Sequence, residues 1–243
     1  MSDRHHLTSP THRRGFLGRL LSGAAVLAGG GAAAPLIAQG VTPGSGGAPG
    51  PVPSGAPRGP WDVTWADRLT AKHKQVFDAP EIAEGTALHQ ARTFMRGYAD
   101  VYGENDSDMN AVLVFRHAGL PVVLGDPVWE RYELGKALKL KDPTTGKPAR
   151  RNPFTNVKAS DKHSIVWPDG GLDTLIGRGA TVLACNLALM GFAGRLATKW
   201  KVKSADVQKE LRESLVPGVI VMPSGIFAVA RAQEAGCNYI RAT

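Results

Sequence analysis

The sequence predicts a three-layer α/β domain, a five-stranded and mainly parallel sheet with helices on both faces. Two observations carry this. Short runs of apolar residues, Ala111-Val112-Leu113-Val114-Phe115, Ala180-Thr181-Val182-Leu183-Ala184 and Val219-Ile220-Val221-Met222, have the make-up of strands buried on both faces. Between such runs lie segments whose apolar residues recur at three- and four-residue intervals, which gives a helix one buried stripe. Strands that alternate with helices join through right-handed crossovers into a parallel sheet.

In chain order, Lys74 to Phe77 reads as the first strand and stops at Asp78-Ala79-Pro80. Glu84 to Tyr102 reads as a helix with Leu88, Ala91, Met95, Tyr98 and Tyr102 on one stripe, closed by Gly103. The strand Ala111 to Phe115 follows, then a helix from Val128 to Leu138. A basic inserted loop is expected over 139–170. Its first part, 139–162, holds seven Lys or Arg against two Asp, a net charge of +5, with three prolines and no periodicity. Loops this long are uncommon. A mobile lid or an anion-attracting segment is the functional reading, and a surface insertion without special role is the commoner one. Leu172 to Arg178 reads as a short helix, and the strand after it ends on Cys185-Asn186. Leu187 to Trp200 is helical, and Ser204 is placed to cap a further helix with Val207, Leu211 and Leu215 on one face. Pro217-Gly218 ends that helix. After the strand Val219 to Met222, Ser224 caps a helix that runs to Ala235 and stops at Gly236, and Cys237 to Ile240 is the last strand.

The folded domain is expected over 61–243. Ahead of it, Arg13-Arg14-Gly15-Phe16-Leu17 places paired arginines before a weakly apolar, uncharged run from Leu20 to Ala38. Residues 1–38 therefore read as a twin-arginine signal, which implies a periplasmic or otherwise exported protein. A membrane-spanning anchor is the alternative, but Gly29-Gly30-Gly31 and Pro35 suit a spanning helix poorly. Membrane contact is expected only through this segment. Residues 39–60 are Gly, Pro, Ser and Ala with almost no bulky side chain, the composition of a disordered spacer.

The net charge is +8, of which residues 1–38 contribute +3. No zinc-finger spacing or basic helix accompanies it, so it reads as a solvated basic surface and not as a nucleic-acid interface. Two cysteines, Cys185 and Cys237, are too few for a disulfide framework, and neither lies in a C-x-x-C pair. No metal site and no cofactor are predicted. The dinucleotide fingerprint and the Walker loop are both missing, and Pro223-Ser224-Gly225 lacks the pattern of a nucleophile elbow.

Parallel sheets gather ligands outside the carboxyl ends of their strands. That rule selects Asp78 after the first strand, Arg116 and His117 after the second, Cys185 and Asn186 after the third, and Ser224 after the fourth. Cys185 also precedes a helix, whose N-terminal partial charge favours a thiolate. Each has a plainer role as well: Ser224 is a helix cap, His117 a loop histidine, and Cys185 a small buried hydrophobe. Cys185 ends one parallel strand and Cys237 begins another, so no disulfide between them is expected.

The segments Val182-Leu183-Ala184-Cys185-Asn186, Leu215-Val216-Pro217-Gly218-Val219-Ile220-Val221-Met222-Pro223-Ser224-Gly225 and Ala232-Gln233-Glu234-Ala235-Gly236-Cys237-Asn238-Tyr239-Ile240 resemble the DsrE/DsrF-like family. The match is specific from Thr181 onward and extends weakly back to Lys74. The resemblance implies a three-layer, flavodoxin-like α/β domain that assembles into a homo-oligomer, a trimer or a hexamer. It also implies a persulfide on the cysteine that Cys185 matches, passed between a sulfur donor and an acceptor protein. Cys237, the leader and the basic loop depart from the family pattern. The function expected on these grounds is an exported sulfur carrier or transferase acting through Cys185, with His117 or Asn186 supporting the anion. The alternative is a non-catalytic oligomeric binding module of the cell envelope that keeps the scaffold.

Overall fold

Each apolar run of the sequence forms a strand in the computed structural model, which describes residues 55–243. The twin-arginine leader and the spacer up to residue 54 lie outside the described residues. The strands are β1 (His73–Ala79), β2 (Met109–Phe115), β3 (Thr181–Cys185), β4 (Val219–Met222) and β5 (Asn238–Arg241). All pair in parallel, in the order β4-β3-β2-β1-β5. The chain steps outward one strand at a time from β1 to β4 and then returns across the sheet to place β5 beside β1. This three-layer α/β architecture has its own strand order, distinct from the 2-1-3-4-5 order of flavodoxin.

The helices are α1 (Thr86–Tyr102), α2 (Asp126–Arg131), α3 (Leu134–Leu138), α4 (Leu172–Gly177), α5 (Asn186–Trp200), α6 (Ser204–Glu213) and α7 (Gly225–Glu234). Alternation along the strands divides the core in two. Phe77, Leu113, Phe115 and Ala184 point to the face covered by Leu88 and Met95 of α1, Leu189 and Ala193 of α5 and Val207 of α6. Val76, Val114, Leu183 and Met222 point to the other face, covered by Ala228 and Ala232 of α7. The stretch before β1, which has no predicted element, completes that second layer. Trp65 is fully buried there, and its indole N–H donates to the Met222 sulfur at 3.2 Å.

Three local expectations are corrected. The helix expected over Val128–Leu138 is two helices, because Glu133 takes a left-handed φ of 49° between them. Ser204 does not cap α6. Lys203 occupies the cap position without a side-chain bond, and Ser204 Oγ accepts from Gln208 inside the helix. The basic loop is not wholly a surface insertion: residues 152–154 are anchored in the first core. Phe154 is fully buried against the Trp129 ring, with centroids 6.4 Å apart. Asn152 is also fully buried. Its amide donates to Val122 O at 2.7 Å and Leu124 O at 2.8 Å, and its Oδ1 accepts from Phe154 N–H at 2.9 Å. A buried asparagine satisfied this fully fixes the segment that carries it.

Both cysteines are free thiols. Two strands stand between β3 and β5. Three inter-strand steps are roughly 14 Å, beyond the ~7 Å that a disulfide tolerates. Cys237 sits among Val76, Ala232 and their neighbours, and burial pushes its thiol up to about 11. Its unfolded value is near 9.0, so the associated stability is complete below pH 9.0 and lost as pH rises through about 11. Iodoacetamide at pH 8 is therefore expected to spare Cys237 in the folded protein and to modify it in urea, as peptide mass spectrometry would show. Rapid modification without denaturant would contradict the packing.

Candidate functional site

The α5 helix leaves β3 on one face of the sheet, and α7 leaves β4 on the other. Where neighbouring strands send their helices to opposite faces, a crevice opens at their carboxyl ends. Here it is a cleft of about 460 Å³, and its lining includes Arg116, His117, Cys185, Arg195, Ser224 and Gly225, with Leu187, Ala188 and Ile226 as its apolar part. Four of the six residues selected from strand ends thus share one cavity.

Cys185 has extended backbone at the end of β3 and serves as the N-cap of α5: its Sγ accepts the Ala188 N–H at 3.4 Å. Ser224 does the same for α7, its Oγ accepting the Phe227 N–H at 3.1 Å. The cleft therefore receives two helix N-termini, each with first-turn N–H groups and partial positive charge. His117 is exposed and holds a left-handed φ of 45°, which turns the chain sharply as it leaves β2.

Arg116 is the fixed cation of the site. Its backbone N–H donates to Ala79 O at 3.1 Å, so its Cα moves with the end of β1. Its Nε and Nη2 donate to the two oxygens of Asp78 at 2.7 and 2.8 Å. The Tyr239 hydroxyl of β5 donates a third bond to Asp78 at 3.0 Å. Asp78 is 3% exposed, which makes this a bidentate pair held in a dry setting. Donation of these hydrogen bonds to Asp78 drives the already high Arg116 pKa further up. Gly225 makes room for the arginine stem: a Cβ there would lie 2.7 Å from Arg116 Cβ and 2.8 Å from its Cδ. The guanidinium is thus held by Asp78 while the stem packs against the start of α7.

Two of the selected residues stand elsewhere. Asp78 lies behind Arg116 and orients it without lining the cleft. The Asn186 side chain turns away from the cleft: its Oδ1 accepts from Arg212 of α6, and its Nδ2 lies 3.6 Å from the Met190 sulfur. Of the two side chains expected to support an anion at Cys185, His117 shares the cleft with it and Asn186 does not.

Arg195, Gly225 and Tyr239 are members of this arrangement that strand-end reasoning passes over. A signal for Arg195 exists, because Ala188, Gly191 and Arg195 follow Cys185 at three- and four-residue intervals and all line the cleft. Arg195 is exposed, its guanidinium 5.5 Å from the Phe192 ring centroid, and no carboxylate of the described residues pairs with it. No Asp or Glu of the described residues lines the cleft. The arrangement suits an anionic ligand placed against a thiol. Among the described residues no three His, Cys, Asp or Glu side chains gather as a metal ion would need.

No model of a known protein family matches the sequence, and no curated protein matches it. A solved structure similar to it is that of MTH1491, a protein of unknown function from Methanobacterium thermoautotrophicum. It shows a TM-score of 0.37 and 18% identity, over 70% of this chain and 98% of that one.

Proposed function

We propose that this protein is an exported sulfur carrier or transferase in which Cys185 takes up a sulfane sulfur as a persulfide. The carrying observation is the placement of Cys185 in a cleft lined by Arg116 and Arg195 and, among the described residues, by no carboxylate. The thiolate is the nucleophilic form of a cysteine. It attacks the outer sulfur of a donor such as thiosulfate, a new S–S bond forms, the donor's own S–S bond breaks, and sulfite leaves. Arg116 and the N-terminus of α5, which meet in the same cleft, are the groups available to the resulting persulfide anion. The resemblance of the chain from Thr181 onward to the DsrE/DsrF-like family supports the same chemistry.

Intact-mass spectrometry tests this. Incubation with thiosulfate or inorganic polysulfide should add one sulfur atom per chain, removable by a thiol reductant. A Cys185 inert to both donors and to iodoacetamide in the folded protein would leave the second reading, a non-catalytic oligomeric binding module of the cell envelope. One observation favours that reading: Cys185 is 6% exposed and its sulfur serves as a helix cap. Self-association as a trimer or hexamer is part of both readings, supported by exposed Leu187 and Met190 on α5 and exposed Ile226 and Phe227 on α7.

Export through the twin-arginine route rests on Arg13-Arg14 and the uncharged run behind them. Replacing both with lysine is expected to hold the precursor in the cytoplasm, as cell fractionation would show. Undiminished export of the double variant would remove that route.

A further inference from the structure

We infer that the cleft takes a small organic molecule bearing carboxylates, and that the hydropersulfide of such a molecule is the sulfur donor to Cys185. The donor half rests on the carrier reading given above. The size of the cleft calls for more than an inorganic ion. The cleft volume of about 460 Å³ falls within the roughly 300–1,000 Å³ of small-ligand pockets. A water molecule's share of the liquid is about 30 Å³, so a bare inorganic ion would leave most of this space to solvent.

Charge is also spaced along the cleft. Arg116 is locked at the inner end by Asp78, whereas Arg195 follows Cys185 by ten residues along α5. Ten helical residues rise about 15 Å, only part of which an arginine side chain spans in leaning back toward the N-terminus. A ligand with sulfur at Cys185 and an anionic group at Arg195 must therefore have molecular length. Leu187, Ala188 and Ile226 provide apolar wall for its body. A planar guanidinium without a protein carboxylate partner matches a ligand carboxylate in two parallel hydrogen bonds.

In the transfer step the Cys185 thiolate attacks the outer sulfur of R–S–SH. The bond between Cys185 Sγ and that sulfur forms as the R–S–S bond breaks, and R–S⁻ departs with the electron pair. The transferred sulfur keeps its proton, so no oxidant is required.

The probe is S-methylglutathione, a thioether with two carboxylates that cannot transfer sulfur. Calorimetry on the full chain should show saturable binding that weakens about tenfold in Arg195→Gln, the loss of one charge-assisted contact. Arg195 is exposed, so this variant should fold as the wild type does. In parallel, glutathione persulfide should load Cys185 faster than thiosulfate does, with that advantage falling about tenfold in Arg195→Gln. Absence of saturable binding, or binding indifferent to Arg195→Gln, would overturn the inference. So would equal loading by thiosulfate, an outcome that leaves the carrier reading standing. If Arg195-dependent binding were found but no donor loaded Cys185, the donor assignment and the carrier reading would fall together.

Discussion

Cys185→Ser is expected to take sulfur loading from one atom per chain to none, whereas Cys237→Ser keeps the full adduct. The two thiols differ in setting. Cys185 lines the cleft, and the fixed guanidinium of Arg116 stands at the same site. Cys237 is buried in the second core with its thiol pushed up to about 11. At pH 7 its thiolate fraction is therefore about one in ten thousand, too small for it to substitute as nucleophile. Serine at 185 retains a cap for α5, since its hydroxyl accepts the N–H of Ala188 as the sulfur does. The variant should accordingly fold, with stability changed by about 1 kcal/mol. Loss of loading would then report chemistry and not collapse of the domain. Intact-mass spectra of both variants after polysulfide treatment give the result directly. An undiminished adduct on Cys185→Ser would remove this cysteine from the mechanism.

Local composition announced the sheet because buried parallel strands must be apolar on both faces, and β2 and β3 are read to within two residues at each end. Once strands are placed, their carboxyl ends follow, and with them Arg116, His117, Cys185 and Ser224. Direction is harder to read than position. Asn186 occupies the expected place, but as the first residue of α5 it faces Arg212 on α6, a neighbour 26 residues away. Arg195 was within reach through the stripe Ala188, Gly191, Arg195, but only after α5 had been assigned a face. The role of Gly225 depends on the path of Arg116, which no local pattern encodes. The break at Glu133 also escapes a periodicity argument, because the apolar spacing continues through it. The basic loop was opaque for a related reason. Its order comes from two side chains, Asn152 and Phe154, whose partners lie in other parts of the chain.

That loop gives the largest expected effect on stability. Phe154→Ala should lower the unfolding free energy by about 3–5 kcal/mol, the cost of emptying a buried aromatic site. Phe154 is fully buried, meets the Trp129 ring of α2 edge to face, and lies close to Gly85 at the start of α1. A Cβ on Gly85 would come within 3.3 Å of the Phe154 ring and 2.7 Å of Val166, so this site has little slack. The neighbouring anchors limit how far the loop can collapse into the cavity: Asn152 is tied to Val122 and Leu124, and Arg151 to Asp142 at 3.0 Å. A cavity that cannot collapse keeps its full cost. Against a total stability of about 5–15 kcal/mol, this is a large fraction. Urea denaturation followed by circular dichroism should show the midpoint falling while the slope is unchanged. A mobile lid would behave in the opposite way, because truncating a lid residue alters ligand access and leaves the global transition where it was. A midpoint within experimental error of the wild type would therefore favour the lid, and with it a gating role for the +5 charge carried over 139–162.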